Sequence, residues 1–284
     1  MSEKATEITK EDVAAVKPDC AAAEGLLAKA ENVAIGKAKR PAGQVFVLAI
    51  LAGMMIGLGA LFMTYVKADQ DLSFAVASVL GGLCFSCGLI MVIVAGAELF
   101  TGNNLMFAAA CDKKITWGQM FKNWGIVWVG NLCGSLLLVL IVVGCGLMGT
   151  AAGDNTIGNQ MVTIASGKIN LAWYQIIFRG ILCNFLVCMA VWMGFAGRTV
   201  IDKIFTSIFP VMAFVAMGFE HCVANMFFLP MGVVASQMGY GAEVLTWGGA
   251  LYNIVFATIG NIIGGALIVA FFYWLSYRKK KSSK

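Results

Sequence analysis

Apolar and polar positions fall into long blocks in this chain. Segments 45–66, 72–97, 123–153 and 244–277 contain no charged residue. Each exceeds the roughly 20 apolar residues that cross about 30 Å of hydrocarbon. Segment 171–197 is interrupted only by Arg179, and segment 204–231 only by Glu220 and His221. Lipid satisfies no backbone polar group, so spanning segments must be helices or a closed barrel. Uncharged runs without period-two alternation exclude the barrel. The pattern predicts an all-α polytopic membrane protein with six transmembrane helices over 41–277, a polar segment 1–40 before them and a short basic tail, 278–284, after them. Residues 13–38 are rich in Ala, Lys and Glu and predict an interfacial helix. The first forty residues lack the short apolar core of a cleavable signal, so they are expected to stay on the mature chain.

Composition agrees: the 284 residues are 60% hydrophobic and 12% charged, with a mean hydropathy of +0.84. The net charge of +5 is best read through its distribution. Lys4, Lys10, Lys17, Lys29, Lys37, Lys39 and Arg40 precede span one. Lys113, Lys114 and Lys122 lie between spans two and three, and Arg198 and Lys203 between four and five. Arg278, Lys279, Lys280, Lys281 and Lys284 end the chain. The opposite side carries only Lys67 and Lys168, with Arg179 inside span four. Basic loops stay inside, so both termini are expected in the cytoplasm. The charge is a topology signal, and with no basic soluble domain to carry it, nucleic-acid binding is not expected. Among nine cysteines, Cys84 and Cys87 have a C-x-x-C spacing. On an apolar helix this reads as two small apolar residues, because no second pair or nearby histidine completes a metal site. No metal and no cofactor are expected.

An internal repeat organises the spans. Gly96, Glu98 and Asn103 form a G-x-E-x-x-x-x-N pattern in span two, and Gly218, Glu220 and Asn225 repeat it in span five. Gly130-Asn131 with Gly134 opens span three, and Gly260-Asn261 with Gly264 recurs in span six. Three spans separate the copies, so the halves enter the membrane with opposite orientation, an inverted 3+3 repeat. The repeated polar element predicts that spans two and five are broken. Such breaks persist in a membrane only where the freed backbone is buried in protein or lines a watery path, and ionisable groups at that depth are costly and functional by default. Glu98, Gly102 and Asn103 at one break, and Glu220 and Asn225 at the other, read as structural. The two carboxylates are expected to accept backbone N–H groups freed at the breaks. Thr101 can cap the second half-helix and also line a pore. Gly53-x-x-x-Gly57 and the two later G-x-x-x-G motifs predict close helix packing.

At these residues the sequence resembles the formate/nitrite transporter family. Ala97-Glu98-Leu99-Phe100-Thr101-Gly102-Asn103 is similar to that family's span-two loop. Gly218-Phe219-Glu220-His221 with Ala224-Asn225-Met226 resembles its span-five signature, and Gly260-Asn261-Ile262-Ile263-Gly264-Gly265 its last-span motif. The resemblance implies an aquaporin-like fold assembled as a homopentamer in a prokaryotic inner membrane, with one pore per subunit passing formate or a similar small anion such as nitrite or hydrosulfide. The context around Cys84-Phe85-Ser86 and 227–231 looks closest to the formate branch. Carried over by position, His221 is the central pore histidine, Thr101 the loop threonine, Asn261 the asparagine beside the histidine, and Lys168 the basic residue of the outer vestibule. Phe85, Leu89, Leu99, Phe100 and Phe214 fall at apolar constrictions. Glu98 stands where the formate branch carries Asp. Arg179 matches a basic residue present in only some members, with no role implied.

The chemistry of His221 suits such a task. It is the only histidine, so multi-histidine metal or haem sites are excluded. Its reference pKa of about 6.5 lies near neutrality. Carrying an anion dry through apolar rings is expensive, and an imidazole can hydrogen-bond the anion or hand it a proton. An enzyme is not expected, since no nucleophile–base pair or metal constellation is present. The paired Asn-Pro-Ala motifs of water and glycerol channels are absent.

Overall fold

The computed structural model describes residues 22–149 and 156–278; the first part of the predicted helix 13–38 and most of the basic tail lie outside the described residues. Helix α1 (Ala23–Lys39) carries Glu24 in its first turn and Lys37 and Lys39 in its last, which complements the helix dipole. It stops at Arg40, whose backbone is extended, because a residue before proline disfavours helical geometry. The apolar face of α1, with Leu26, Leu27 and Ala30, is buried against Leu105, Ala108, Trp192 and Val269. Thus α1 is docked on the protein through the face expected to lie in an interface.

Span one is α2 (Ala42–Ala68). Span two is broken into α3 (Phe74–Ala95), α4 (Phe100–Asn103) and α5 (Met106–Cys111). Span three, α6 (Trp117–Gly144), opens on a reciprocal capping box between Thr116 and Gln119, which satisfies two otherwise orphaned N–H groups. A shorter helix α7 (Thr156–Ile169) precedes span four, α8 (Trp173–Ala196). Span five is α9 (Val200–Ala216) followed by α10 (Cys222–Gln237). Span six runs through α11 (Trp247–Ile262), a π-helical stretch Ile263–Ala270 and α12 (Phe271–Tyr277). Five helices are long and apolar enough to cross a membrane, α3 of the broken span two among them; the remaining crossing is the other broken span, α9 and α10. Leu51, Leu58 and Phe62 on α2 and Phe178 and Leu182 on α8 are among the apolar side chains left exposed, as expected of surfaces that face lipid.

Glycines set the packing. A Cβ on Gly130 or Gly134 of α6 would strike Phe46, Ala49 or Ile50 of α2, and one on Gly260 or Gly264 of span six would strike Ile177, Gly180 or Ile181 of α8. The first and third spans of each half are thus pressed backbone to backbone in the same way. Gly82 of α3 meets the backbone of Met212 on α9, which joins the two broken spans along the middle of the bundle.

Candidate pore at two broken helices

Each break begins at a glycine in the left-handed region, Gly96 at φ 78° and Gly218 at φ 69°, where a side chain is strained. The chain then runs extended over 97–99 and 219–221 before helix resumes. The freed backbone groups are held by asparagines from the third span of each half. Asn131 Oδ1 accepts the Phe100 N–H at 3.0 Å while its Nδ2 donates to the carbonyls of Ala49 (2.8 Å) and Glu98 (2.9 Å). Asn261 Oδ1 accepts the Cys222 N–H at 2.9 Å, and its Nδ2 donates to the carbonyls of Gly180 and Glu220, both at 2.8 Å. Sequence reasoning gave this task to Glu98 and Glu220. A carboxylate only accepts, whereas each break frees both an N–H and carbonyls; an amide serves both. Asn261 is fully engaged in this bracket and lines neither of the cavities described below.

The glutamates instead anchor charge. Glu98 is fully buried and receives Lys37 (2.8 Å) and Arg40, with Asn103 Nδ2 at 2.7 Å. Asn103 in turn donates to Asn123 and accepts a second Lys37 hydrogen bond at 2.8 Å. In the other half, Glu220 is 1% exposed and pairs with Lys168 at 2.9 Å. Asn225 Nδ2 donates to Glu220 at 2.6 Å and to Asn253 at 2.7 Å. Lys37 on α1 and Lys168 on α7 are therefore equivalent, and the repeat includes the helix before each set of three spans. Lys37 and Arg40 were missed as site residues; carrying the repeat upstream from Lys168 by the interval that separates Ala49 from Gly180 lands on Lys37. The halves differ in detail. Glu98 has two cations and Glu220 has one, and the buried Oδ1 of Asn225 has no partner among the described residues.

His221 ends the second break as the N-cap of α10, its Nδ1 accepting the Ala224 N–H at 3.0 Å. That bond requires a bare Nδ1, so neutral His221 carries its proton on Nε2. Nε2 lies 2.9 Å from Thr101 Oγ1. Thr101 does not cap its helix: the N-cap position is Leu99 and has no side-chain cap bond. Its carbonyl accepts Asn184 and the Cys188 thiol, which leaves the hydroxyl turned to His221. Leu99, the residue matching His221 in the first half, is apolar.

A cavity lies on either side of this contact. One, of about 400 Å³, is lined by Lys37, Arg40 and Glu98 with Leu89 and Leu99 at its apolar wall. The other, of about 280 Å³, is lined by Lys168, Glu220 and His221 with Phe85 and Phe214, together with Lys67 and Arg179. Phe214 stacks on the His221 ring at 5.7 Å and meets Phe85 edge-on at 5.7 Å. Phe228, absent from the residues singled out in the sequence, completes the cluster: it stacks on Phe85 and lies under Lys168 Nζ. Phe100 lines neither cavity; its ring packs edge-on against Trp124 at 6.1 Å. Gly102 lines the first cavity beside Asn103. Two charged cavities, separated by apolar rings and a hydroxyl–imidazole contact, make a conduit for a small polar solute.

Comparison with known proteins gives a consistent picture. Residues 24–275 match the family model described as Formate/nitrite transporter. The formate channel FocA of Escherichia coli K12 is 39% identical over 265 residues, covering 88% of this chain and 92% of its own. A solved structure described as a pentameric formate channel with formate bound superposes with a TM-score of 0.73 at 36% identity, covering 84% of this chain and 98% of the other. An ion channel of the same family superposes at 0.78 with 28% identity over 88% and 98% of the two chains.

Proposed function

The chain belongs to the formate/nitrite transporter family, and we propose that it conducts small monovalent anions, with formate as the principal substrate, through a pore in each subunit of a homopentamer. The observation that carries this reading is the Thr101–His221 contact, which joins the two broken helices between two cation-lined cavities. The relatives named for formate, and the pentameric relative with formate bound, support the substrate and the assembly. The uneven distribution of Lys and Arg supports a cytoplasmic α1 and an outward-facing α7 in a prokaryotic inner membrane.

An anion is drawn towards Lys168 or Lys37 by the positive potential of each vestibule. It then meets Leu89 and Leu99 on one side and Phe85 and Phe214 on the other, where shedding water costs most. His221 offers the Nε2–H at that point, and Thr101, whose Oγ1 accepts it, can release it by turning its side chain about χ1. Nitrite and hydrosulfide share the size and charge that this path accepts. Transfer of a proton to the anion is a second reading, favoured by the lower cost of moving a neutral acid past apolar rings. It requires His221 to gain a proton at Nδ1, which opens the Ala224 cap.

Uptake of labelled formate, nitrite and hydrosulfide into proteoliposomes tests the reading. Saturable or channel-like formate flux above protein-free liposomes is expected, with water permeability unchanged; formate flux equal to that of empty liposomes would overturn it. Single-cysteine labelling at position 203 in a cysteine-free background tests the orientation, and external labelling in intact cells would reverse it.

A further inference from the structure

The α7-side cavity holds more positive charge than its carboxylate uses. Lys168 is taken by Glu220, whose other oxygen is occupied by Asn225 and Asn253. Lys67, from the last turn of α2, and Arg179, from α8, also line the cavity. Lys67 has no hydrogen-bond or ion-pair partner among the described residues, and Lys168 lies close enough to repel it. Arg179 makes one long hydrogen bond, 3.4 Å, to the Gly218 carbonyl, leaving most of its fork of N–H donors unused. The α1-side cavity is built differently, since both Lys37 and Arg40 are spent on Glu98.

Two cations from different helices therefore face a cavity of about 280 Å³, far larger than a one-carbon carboxylate. A monovalent anion neutralises one of them and leaves the other opposed by Lys168. An anion with two charges a short distance apart neutralises both. The same species cannot continue inward. The cavity ends on Phe85, Phe214 and Phe228, and the Born cost of entering an apolar medium grows with the square of the charge. We propose that Lys67 and Arg179 form an outer-vestibule binding site for a small dianion, of the size of a short dicarboxylate, which docks there and plugs the pore from outside.

The block as read by flux rests on the formate-channel reading, whereas the site itself does not. Malonate is a suitable probe. Binding of malonate to the purified protein is measured by calorimetry, and formate flux in intact cells is measured with external malonate against chloride at equal ionic strength. Saturable binding is expected, with formate flux reduced several-fold by malonate and unaffected by chloride. Lys67→Gln and Arg179→Gln are each expected to weaken binding about tenfold and to relieve the block relative to each variant's own uninhibited flux. Lys67→Arg, which keeps the charge, should retain both and controls for folding. Absence of saturable malonate binding, or unchanged affinity in both glutamine variants, overturns the site. Binding without any reduction of flux in a conducting protein overturns the plug. Binding that persists in a preparation without formate flux supports the site and sinks only the formate-channel reading.

Discussion

The hydroxyl of Thr101 and Nε2 of His221 face each other at 2.9 Å, and this pairing joins two helices that are each broken and belong to opposite halves of an inverted repeat. The Ala224 N–H held by Nδ1 fixes which ring nitrogen faces the threonine with a proton. Replacing Thr101 by Val keeps the shape and removes the acceptor. Formate flux is expected to fall about tenfold, on the scale of one unpaired buried polar group, without a move in its pH midpoint. His221→Asn keeps a polar group and loses the ring that could carry a transferable proton, so on the proton-transfer reading its flux should lose the pH dependence that wild type shows. His221→Phe should block passage. Flux into liposomes across pH for the three variants decides; a wild-type rate and pH profile in His221→Asn would leave His221 as a helix cap only.

The two asparagine brackets predict a stability effect separate from transport. Asn131→Leu and Asn261→Leu keep the branched shape at a larger volume, and each orphans one buried N–H and the carbonyl of the break, that of Glu98 or Glu220. Each unpaired group costs roughly 1–3 kcal/mol. Both variants should unfold at clearly lower temperature in detergent. Asn261→Asp keeps the acceptor for Cys222 N–H while turning the donor into a charge, so it too should be destabilised. A thermal midpoint equal to wild type in Asn261→Leu would show that the break does not depend on its bracket.

The elements that came readily from the sequence are those written in long apolar runs and in fixed glycine and asparagine spacings. Six spans, the two breaks and the inverted repeat all follow from Gly96, Glu98, Asn103 and Asn131 and their counterparts. The partners of the breaks did not. Glu98 and Glu220 looked like acceptors for freed N–H groups because they sit nearest in sequence, whereas the groups that reach the breaks come from α6 and α11, brought there by the close packing of Gly130 and Gly260. Arg40 was hidden among the other basic residues before span one, since only docking of α1 singles it out, and Lys37 shows only when the repeat is carried back from Lys168. Phe228 was one phenylalanine in an apolar helix, and its place beside Phe85 depends on how α3 and α10 cross.

The unequal charge of the two clusters orders a second pair of variants. Lys168→Met leaves Glu220, 1% exposed, without a cation, and a stranded buried charge costs about 3–5 kcal/mol. Lys37→Met leaves Glu98 with Arg40 still in place. Lys168→Met should therefore lower thermal stability more than Lys37→Met, and adding Glu220→Gln should restore most of the loss. Equal loss in the two single variants, or no recovery on adding Glu220→Gln, would contradict the ion-pair account.

Docking of α1 carries its own pH dependence. Glu31, 2% exposed, pairs with Lys114, and its second oxygen has no partner among the described residues. Burial pushes its pKa above the ordinary 4.5, and Asp112 adds to this; the Lys114 contact offsets only part. Released into water, Glu31 would return to its ordinary value. The docked state therefore binds its proton more tightly, so docking is strongest below about pH 4.5 and weakens as pH rises through the raised value. Asp112 works the other way. Burial raises its pKa, but hydrogen bonds with Trp274 and Lys114 and the Lys114 charge outweigh this and hold it below 3.8. Its contribution is lost only in more acid solution, outside the range that Glu31 governs. Hydrogen exchange of peptides covering 23–39, compared at each pH with Glu31→Gln so that the intrinsic chemistry cancels, should show wild-type protection falling relative to the variant as pH rises above 4.5 through the raised value. A constant ratio across that range would mean that Glu31 does not set the docking of α1, and any pH dependence of flux would then have to arise within the pore.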